Sequence, residues 1–253
     1  DGLGTMRMTL KRKRPDGSPM WAPPHRGLTQ DRVRYVGDPV ALVIAETPAQ
    51  AKDAAELVQV DYEPLPSVTS TAEAGNGSPP VWDECPDNIS NVFETGDRAA
   101  TEAAFARAHR IVRRRYVITR VHAQYMEPRG ALGVYDPGED RYTLYADVQY
   151  PHRVRNALAS NIFQVPEHKI RVIAGDVGGG FGTKGWQYPE HRLVLWAARK
   201  LRRPVKWACE RHEAILADSH GRDNGSEAEL ALDAEHRFLA LRVRTLANVG
   251  AYV

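Results

Sequence analysis

The sequence predicts an α+β fold, a mixed α/β arrangement of helices and strands, and three features predict it. Residues 33–63 have a strand, helix and strand pattern, residues 110–147 are mainly β, and residues 151–208 alternate helices with short apolar strands. Helical apolar spacing set between short β-branched runs is typical of helices packed on a sheet. A Pro-, Ser- and Gly-rich stretch at residues 64–80 separates the first pattern from the others and is typical of a linker.

The N-terminal part opens with a segment that lacks periodic apolar residues. Residues 1–30 are rich in Gly, Pro, Lys and Arg and predict an exposed arm or long loop. Thr47 then stands where it can cap a helix over residues 48–58, with Pro48 at the first helical position. The strands predicted around this helix are residues 33–36, 40–45 and 59–63. We therefore expect a small βαβ-like unit.

The elements after the linker follow from local signals of the same kind. Asp97 is expected to cap a short helix at residues 99–106. Further predicted helices are residues 151–163 and 190–201, and further strands are residues 110–120, 131–135, 142–147, 169–174 and 205–208. Residues 227–232 and 238–248 predict a C-terminal hairpin.

Composition excludes several classes of function. Hydrophobic residues make up 42% and charged residues 26% of the 253 residues, and the net charge is +2. The basic clusters at residues 11–14, 113–115 and 200–203 are scattered and lack the interleaved aromatic residues of a single-strand binding surface. No apolar run reaches the roughly 18 residues of a membrane span. We expect neither a nucleic-acid partner nor a membrane-spanning segment.

The cysteines and histidines do not predict a metal site. Cys85 and Cys209 are the only cysteines, too few for an iron–sulfur cluster or a disulfide framework. His212 and Glu213 begin like a zinc-protease helix, but Leu216 stands where the second histidine is required. We therefore expect no direct metal ligand from this chain.

The most informative segment is a glycine tract, DVGGGFGTK, at residues 176–184, directly after a predicted strand. Its glycines permit positive φ and let backbone amides approach a ligand, for which an anion or an oxo group is suited. A dinucleotide-binding fingerprint fails because Thr183 occupies the place of its last glycine. A phosphate loop fails because Gly185 replaces the hydroxyl residue after Lys184. A glycine-rich turn without a ligand remains the alternative.

Several segments, in order, resemble the large, molybdopterin-binding subunit of the xanthine oxidase family of molybdenum hydroxylases. They are VRYVGDPVA at 33–41, VDYEPLP at 60–66, HAQYMEPRG at 122–130, DVQYPH at 147–152, the glycine tract, RPVKW at 203–207 and RHE at 211–213. The resemblance covers nearly the whole chain beyond the N-terminal arm and is greatest to the carbon monoxide dehydrogenase and aldehyde oxidase branches. It implies a partial α/β hammerhead domain with the arm at residues 1–70, a linker at 71–84, and the first part of a molybdopterin-binding domain at 85–253.

The resemblance also implies a cofactor site. The glutamine matched by Gln149 lies beside the molybdenum in such proteins and hydrogen-bonds to one of its oxygens, and the loop matched by Gly180, Phe181 and Gly182 presents backbone amides to the metal centre and its pterin. Neutral, preoriented donors of this kind stabilise changing charge without reorganisation. From the residues alone, Gln149 would instead cap the helix that begins near residue 151.

The resemblance leaves other residues with two readings. Lys184 is expected either to contact the phosphates of the cofactor or to be solvated, and residues 126–128 are expected to lead into a strand. For Arg211 and Glu213 a surface ion pair is an equal alternative.

The complete protein implied by the resemblance is an oxidoreductase with partner subunits. It would oxidatively hydroxylate an aldehyde or a heterocycle, or oxidise carbon monoxide, with oxygen from water. Its cofactor would be molybdopterin, as the cytosine dinucleotide, with molybdenum, and electrons would pass to a small [2Fe-2S] subunit and a medium FAD subunit. A dimer of heterotrimers in the cytoplasm is expected.

Two features limit what this chain can do by itself. The catalytic glutamate of the family is expected beyond residue 253, so no catalytic residue is assigned and the chain alone, expected to be a fragment, should be inactive. Gly185 replaces the acidic residue of purine-oxidising members, which disfavours a purine substrate. The alternative is a cofactor-binding or assembly module of the same fold without redox activity.

Overall fold

A computed structural model describes residues 2–6, 12–75 and 77–251. The chain forms two compact units, each assembled from separate stretches of sequence. The first unit comprises Asp1–Met8, Pro23–Pro64 and His122–Ser219, and the second comprises Thr9–Ala22, Leu65–Val121 and His220–Val253. The domain boundaries expected at residues 70 and 85 stay a prediction.

The first unit contains a four-stranded sheet with the order β4-β3-β2-β5. Its strands are β2 (Gly130–Asp136), β3 (Arg141–Ala146), β4 (Ile170–Ile173) and β5 (Val205–Ala208). β2 is antiparallel to both of its neighbours, whereas β3 and β4 are parallel. A parallel pair requires a crossover connection, and helix α3 (Pro151–Ala157) lies in it. The candidate site is built just after the C-terminal ends of β3 and β4, which lie at the same edge of the sheet because the two strands are parallel.

Helices α3 and α4 (Pro189–Leu201) of the first unit pack on the sheet. The unit also contains α1 (Pro48–Glu56) and α5 (Arg211–Ala217). A Cβ added at Gly133 of β2 would lie 2.6 Å from the backbone of Val194, so the glycine allows α4 to lie directly on the strand. Leu144, Leu158 and Leu195 are fully buried in the core between them. Burying each such side chain contributes about 1.5–3 kcal/mol.

The helix predictions are confirmed, with one change of geometry. Thr47 caps α1 through a capping box with Gln50, as its position before Pro48 indicates. The helix predicted over residues 151–163 is α-helical only to Ala157, and a π-helical turn, Leu158–Phe163, completes it. Gln164 then ends the helix in the left-handed conformation.

The three strands predicted in residues 33–63 are wrong. In the described chain, residues 33–36, 40–45 and 59–63 belong to no sheet. Val36 and Tyr62, two of their apolar side chains, are exposed. A β-branched run favours extended backbone, but a strand also needs the donors and acceptors of a neighbouring strand, which the local pattern does not contain.

The second unit is an antiparallel sheet with the order β1-β6-β7. Its strands are β1 (Arg110–Val121), β6 (Gly221–Leu232) and β7 (Phe238–Ala247), and α2 (Arg98–Ala106) is capped by Asp97 as predicted. Glu229 of β6 pairs with Arg113 and Arg242 on the two neighbouring strands, each at 2.6 Å. The hairpin predicted at the C-terminal end is confirmed. Among the described residues, none of the helices has both the length and the hydropathy of a membrane span.

Candidate functional site

The glycine tract forms a compact loop between β4 and α4 of the first unit. Gly179 and Gly182 have φ of +94° and +96°, a region in which any side chain is strained. Phe181 between them also has a positive φ, of +50°, and its side chain is 76% exposed. A non-glycine residue in this conformation costs on the order of 1 kcal/mol. The loop therefore holds a strained, exposed phenylalanine between glycines.

Gln149 lies against this loop. It follows β3 and precedes α3. Its side-chain Oε1 accepts a hydrogen bond from the Gly182 amide at 2.9 Å, and its backbone amide donates to the Lys184 carbonyl at 3.0 Å. A Cβ added at Gly180 would lie 2.6 Å from the same Oε1. The structure thus brings Gln149, Gly180 and Gly182 together, with Phe181 beside them.

The helix-capping alternative for Gln149 is wrong. The N-cap position of α3 is occupied by Tyr150, which makes no side-chain hydrogen bond to the helix. The glutamine side chain is directed to the glycine tract instead. A glycine is required at residue 180 because the Gln149 side chain occupies the space where a Cβ would be. The sequence interpretation had explained the small residue by a ligand in that space.

The loop and the glutamine retain hydrogen-bonding capacity. Within the described residues, the amides of Gly180 and Phe181 and the Nε2 of Gln149 donate to no protein acceptor. Because Oε1 of Gln149 accepts from Gly182, the Nε2 is the free end of the carboxamide. Three neutral donors without protein partners suit an oxygen-bearing group whose charge changes during a reaction. The residues present therefore fit the expected cofactor.

An open cleft of about 410 Å³ adjoins the glutamine and is lined by Gln149, Tyr150, Pro151, His152 and Arg153. The ring of Tyr150 lies over Gly185, where an added Cβ would come within 3.3 Å of it. The guanidinium of Arg153 lies 4.3 Å from the ring centroid of Trp186. The cleft therefore has an aromatic and cationic border, with no side chain at residue 185.

Glu127 is a site residue that the sequence interpretation missed. It precedes β2, as expected of residues 126–128, but its Oε2 also accepts hydrogen bonds from the Gly178 amide at 2.7 Å and from Lys184 Nζ at 2.9 Å. Partial burial alone raises the pKa of Glu127, but the hydrogen bonds from Lys184 and Gly178 outweigh it and hold the pKa below its ordinary value. The signal that could have identified Glu127 is its place as the acidic residue within HAQYMEPRG at 122–130, a segment that resembles the family.

Lys184 is buried, so the expectation of a solvated lysine is wrong. Its side chain is 1% exposed and forms ion pairs with Glu127 and Asp147, and its Nζ lies 4.7 Å from the ring centroid of Tyr125. A buried ammonium group requires such partners. The contact to cofactor phosphates stays a prediction.

A second group of buried charges supports the segment that carries Glu127. The carboxylate of Asp218 is fully buried and accepts a hydrogen bond from the Tyr125 hydroxyl. It also pairs with His122 at 2.7 Å and with Arg129 at 2.8 Å. The Arg211 guanidinium, for which an ion pair with Glu213 was one of two alternatives, donates to the Met126 carbonyl at 2.7 Å. These contacts anchor residues 122–129 from both sides.

The described residues contain no group of three or more His, Cys, Asp or Glu side chains arranged to hold a metal ion. Both cysteines are free and buried. Burial raises the pKa of the Cys209 thiol to about 12, which removes it as a thiolate ligand or nucleophile near neutral pH.

Comparison with known proteins identifies the family. Residues 81–253 match the family described as "Molybdopterin cofactor-binding domain", and residues 9–66 match "Aldehyde oxidase and xanthine dehydrogenase, a/b hammerhead domain". The nicotine 6-hydroxylase large subunit of Paenarthrobacter nicotinovorans is 38% identical over 225 residues, covering 89% of this chain and 27% of that protein. The carbon monoxide dehydrogenase large chain of Hydrogenophaga pseudoflava is 34% identical, covering 89% of this chain and 30% of that protein.

Solved structures of related enzymes have a similar fold and a similar level of sequence identity to this chain. Quinoline 2-oxidoreductase from Pseudomonas putida 86 is 36% identical with a TM-score of 0.83, covering 95% of this chain and 30% of that chain. Carbon monoxide dehydrogenase from Oligotropha carboxidovorans is 32% identical with a TM-score of 0.82, covering 88% of this chain and 29% of that chain. The chain thus spans less than a third of the length of these relatives, and the predicted mixed fold with its hammerhead and cofactor-binding parts is confirmed. Because the molybdopterin cofactor-binding family accounts for more than half of it, the chain belongs to the xanthine oxidase family of molybdenum hydroxylases, in the molybdopterin-binding large subunit.

Proposed function

We propose that this chain supplies one wall of the molybdenum-cofactor pocket in an enzyme that oxidatively hydroxylates a small molecule with oxygen from water. The observation that carries the proposal is the hydrogen bond from the Gly182 amide to Gln149, which leaves the Nε2 of the glutamine without a partner among the residues that the structure describes. Gln149, Gly180, Phe181 and Gly182 would hold the cofactor. When bound, the cofactor supplies the two-electron oxidation and the oxygen transfer.

The contribution of the protein is orientation and electrostatic stabilisation. The Gly182 amide fixes the carboxamide of Gln149, so its Nε2 does not have to reorient when charge changes nearby. The Gly180 and Phe181 amides belong to a loop whose positive φ values at Gly179 and Gly182 restrict its conformation. Removing one preoriented donor of this kind typically lowers the rate about 100-fold or more.

The proposed substrate is an aldehyde, a heterocycle or carbon monoxide, and the cleft favours a flat ring among these. Tyr150 lines the cleft beside Gln149, and Arg153 stacks on Trp186 at its border. Aromatic faces of this kind bind planar rings by offset stacking. Gly185 offers no carboxylate to orient a purine. The names nicotine 6-hydroxylase and quinoline 2-oxidoreductase, borne by two relatives, describe enzymes for ring substrates.

The complete enzyme is proposed to work with partner subunits. Electrons would leave through a small [2Fe-2S] subunit and a medium FAD subunit, in a dimer of heterotrimers, and the cofactor would be the cytosine dinucleotide form. Relatives named as a large subunit, a large chain and a complex subunit gamma support a multi-subunit assembly. The catalytic glutamate is proposed to lie outside these residues. A cytoplasmic location stays a prediction that rests on the resemblance alone.

The proposal is tested on the complete large subunit, purified with its partner subunits from a molybdenum-replete host. Molybdenum and pterin are expected in stoichiometric amounts, and the absence of both would contradict the proposal. Gln149→Ala and Gly182→Val should each lower turnover; unchanged turnover in both would favour a binding or assembly module without a redox role. Dye-linked activity from residues 1–253 alone would contradict the expectation that they are inactive in isolation.

A further inference from the structure

A single side-chain oxygen of Glu127 accepts hydrogen bonds from both ends of the glycine tract. Its Oε2 accepts from the Gly178 amide near the start of the tract, at 2.7 Å, and from Lys184 Nζ at its end, at 2.9 Å. The residues that would hold the cofactor, Gly180, Phe181 and Gly182, lie between these two attachments. The position of one carboxylate oxygen therefore constrains the loop from both sides.

The contact between Glu127 and Gly178 is reciprocal and close. The Glu127 amide donates to the Gly178 carbonyl at 3.2 Å, while the Gly178 amide donates to the glutamate side chain. A Cβ added at Gly178 would lie 2.5 Å from the Cβ of Glu127. Glycine at residue 178 is thus required by the glutamate, just as glycine at residue 180 is required by Gln149.

The charge of Glu127 is not needed to neutralise the lysine. Lys184 also pairs with Asp147, whose side chain is 10% exposed, so one buried carboxylate already compensates the ammonium group. The Glu127 side chain is 41% exposed, and solvent screens its charge. Unlike Asp147, Glu127 provides one acceptor that the Gly178 amide and the lysine share.

We propose that Glu127 is a positioning residue, whose Oε2 sets the conformation of the glycine tract and thereby the placement of the donors that hold the cofactor. This inference rests on the proposed function. Glu127 reaches the cofactor only through the loop and through Lys184, whose carbonyl in turn accepts from the Gln149 amide at 3.0 Å. The Glu127 carboxylate is thus connected to the loop directly, through Gly178, and to Gln149 indirectly, through Lys184.

Two conservative variants of the complete enzyme separate the position of the oxygen from its charge. Glu127→Gln keeps an oxygen at the same reach, able to accept from both donors, and its NH₂ can face solvent. Glu127→Asp keeps the charge but withdraws the oxygen by one methylene. Glu139→Gln makes the same chemical change at an exposed carboxylate of the β2–β3 turn and serves as the control. The readouts are molybdenum per polypeptide, the EPR spectrum of the bound molybdenum and kcat.

Glu127→Gln is expected to retain the molybdenum content and the spectrum of the wild type, as is Glu139→Gln. Glu127→Asp is expected to lower molybdenum content or kcat by about 10- to 100-fold, the usual range for partners that support a metal site indirectly, and to change the spectrum of the molecules that remain loaded. If Glu127→Asp does not accumulate, the spectrum of Glu127→Gln decides: a wild-type spectrum supports the proposal and an altered one overturns it.

Two further results would overturn the proposal while leaving the function intact: a loaded Glu127→Asp enzyme with a wild-type spectrum, or a Glu127→Gln enzyme as impaired as Glu127→Asp. A wild-type enzyme without molybdenum would overturn the proposed function, and this inference with it.

Discussion

The side-chain oxygen of Gln149 accepts a hydrogen bond from the Gly182 amide at 2.9 Å. This bond determines which end of the carboxamide faces the loop, because an amide donor must meet the oxygen and not the NH₂ group. Gln149 therefore uses its acceptor within the protein, and its donor, Nε2, has no protein partner among the described residues.

Gln149→Glu separates these two roles. The carboxylate retains an oxygen for the Gly182 amide, so the loop should keep its conformation, but the donor is replaced by an acceptor with a negative charge. We expect kcat of the complete enzyme to fall about 100-fold or more, close to the effect of Gln149→Ala. Gln124→Glu, the same change at an exposed residue of the first unit, is the control. Activity preserved in Gln149→Glu would show that the glutamine only supports the loop.

Gly180→Ala tests the close packing of the loop against Gln149. The new Cβ would lie 2.6 Å from the glutamine Oε1, so the side chain must move. A displacement of about 1 Å near reacting groups costs up to about 100-fold in rate, and kcat is the measurement. Gly175→Ala is a matched control just before the tract, because its Cβ would meet nothing within 4 Å. Equal activities of the two variants would contradict this account of Gly180.

Features determined by neighbouring residues could be predicted from the sequence. Thr47 and Asp97 cap α1 and α2 because capping depends on amides only three residues away. The glycine tract was recognised for the same reason, since four glycines in five positions define a loop by themselves. That it would lie beside Gln149 came from the resemblance to the family.

Features that depend on distant residues could not be predicted. Lys184 has the local sequence of a surface lysine, and its burial follows from Glu127 and Asp147, which other segments supply. The apolar run at residues 40–45 likewise predicts a strand, but pairing depends on a partner that its own residues do not specify. Local patterns therefore predicted the glycine loop, but not Glu127, which forms hydrogen bonds at both ends of it.

Lys184→Met tests the buried ion pairs beneath the loop. The substitution keeps the length of the side chain but leaves the Glu127 and Asp147 carboxylates facing each other without a cation. Removing one partner of a buried pair typically lowers the free energy of unfolding by about 3–5 kcal/mol. Lys52→Met removes an exposed partner of Glu210, whose interaction solvent screens, and should lower the free energy of unfolding far less. Urea unfolding measures both, and similar losses would contradict the burial of Lys184.

His191 completes a capping box at the start of α4. Its Nδ1 accepts a hydrogen bond from the Tyr188 amide at 3.2 Å, which requires the neutral ring. Complete burial, with the charges of Arg129 and Arg192 nearby, lowers the pKa of His191 to about 3 from an ordinary value of 6.5. Between these values the unfolded chain binds a proton that the folded chain excludes. Stability is therefore fully present above pH 6.5 and is lost as the pH falls, by up to about 1.4 kcal/mol per pH unit.

His191→Gln should remove this pH dependence and keep the cap, because glutamine is an ordinary third residue of a capping box and its Oε1 can accept from the Tyr188 amide. Urea unfolding of wild type and variant from about pH 7 to pH 5 is the measurement, since histidine titrates there when unfolded. As the pH falls, the free energy of unfolding of the wild type should decrease more than that of the variant. His25, whose pKa is lowered to about 4 by burial and by the charge of Arg192, remains in both proteins, so the variant keeps a smaller slope. Parallel pH profiles would mean that His191 becomes protonated in the folded protein, which the hydrogen bond to its Nδ1 does not allow.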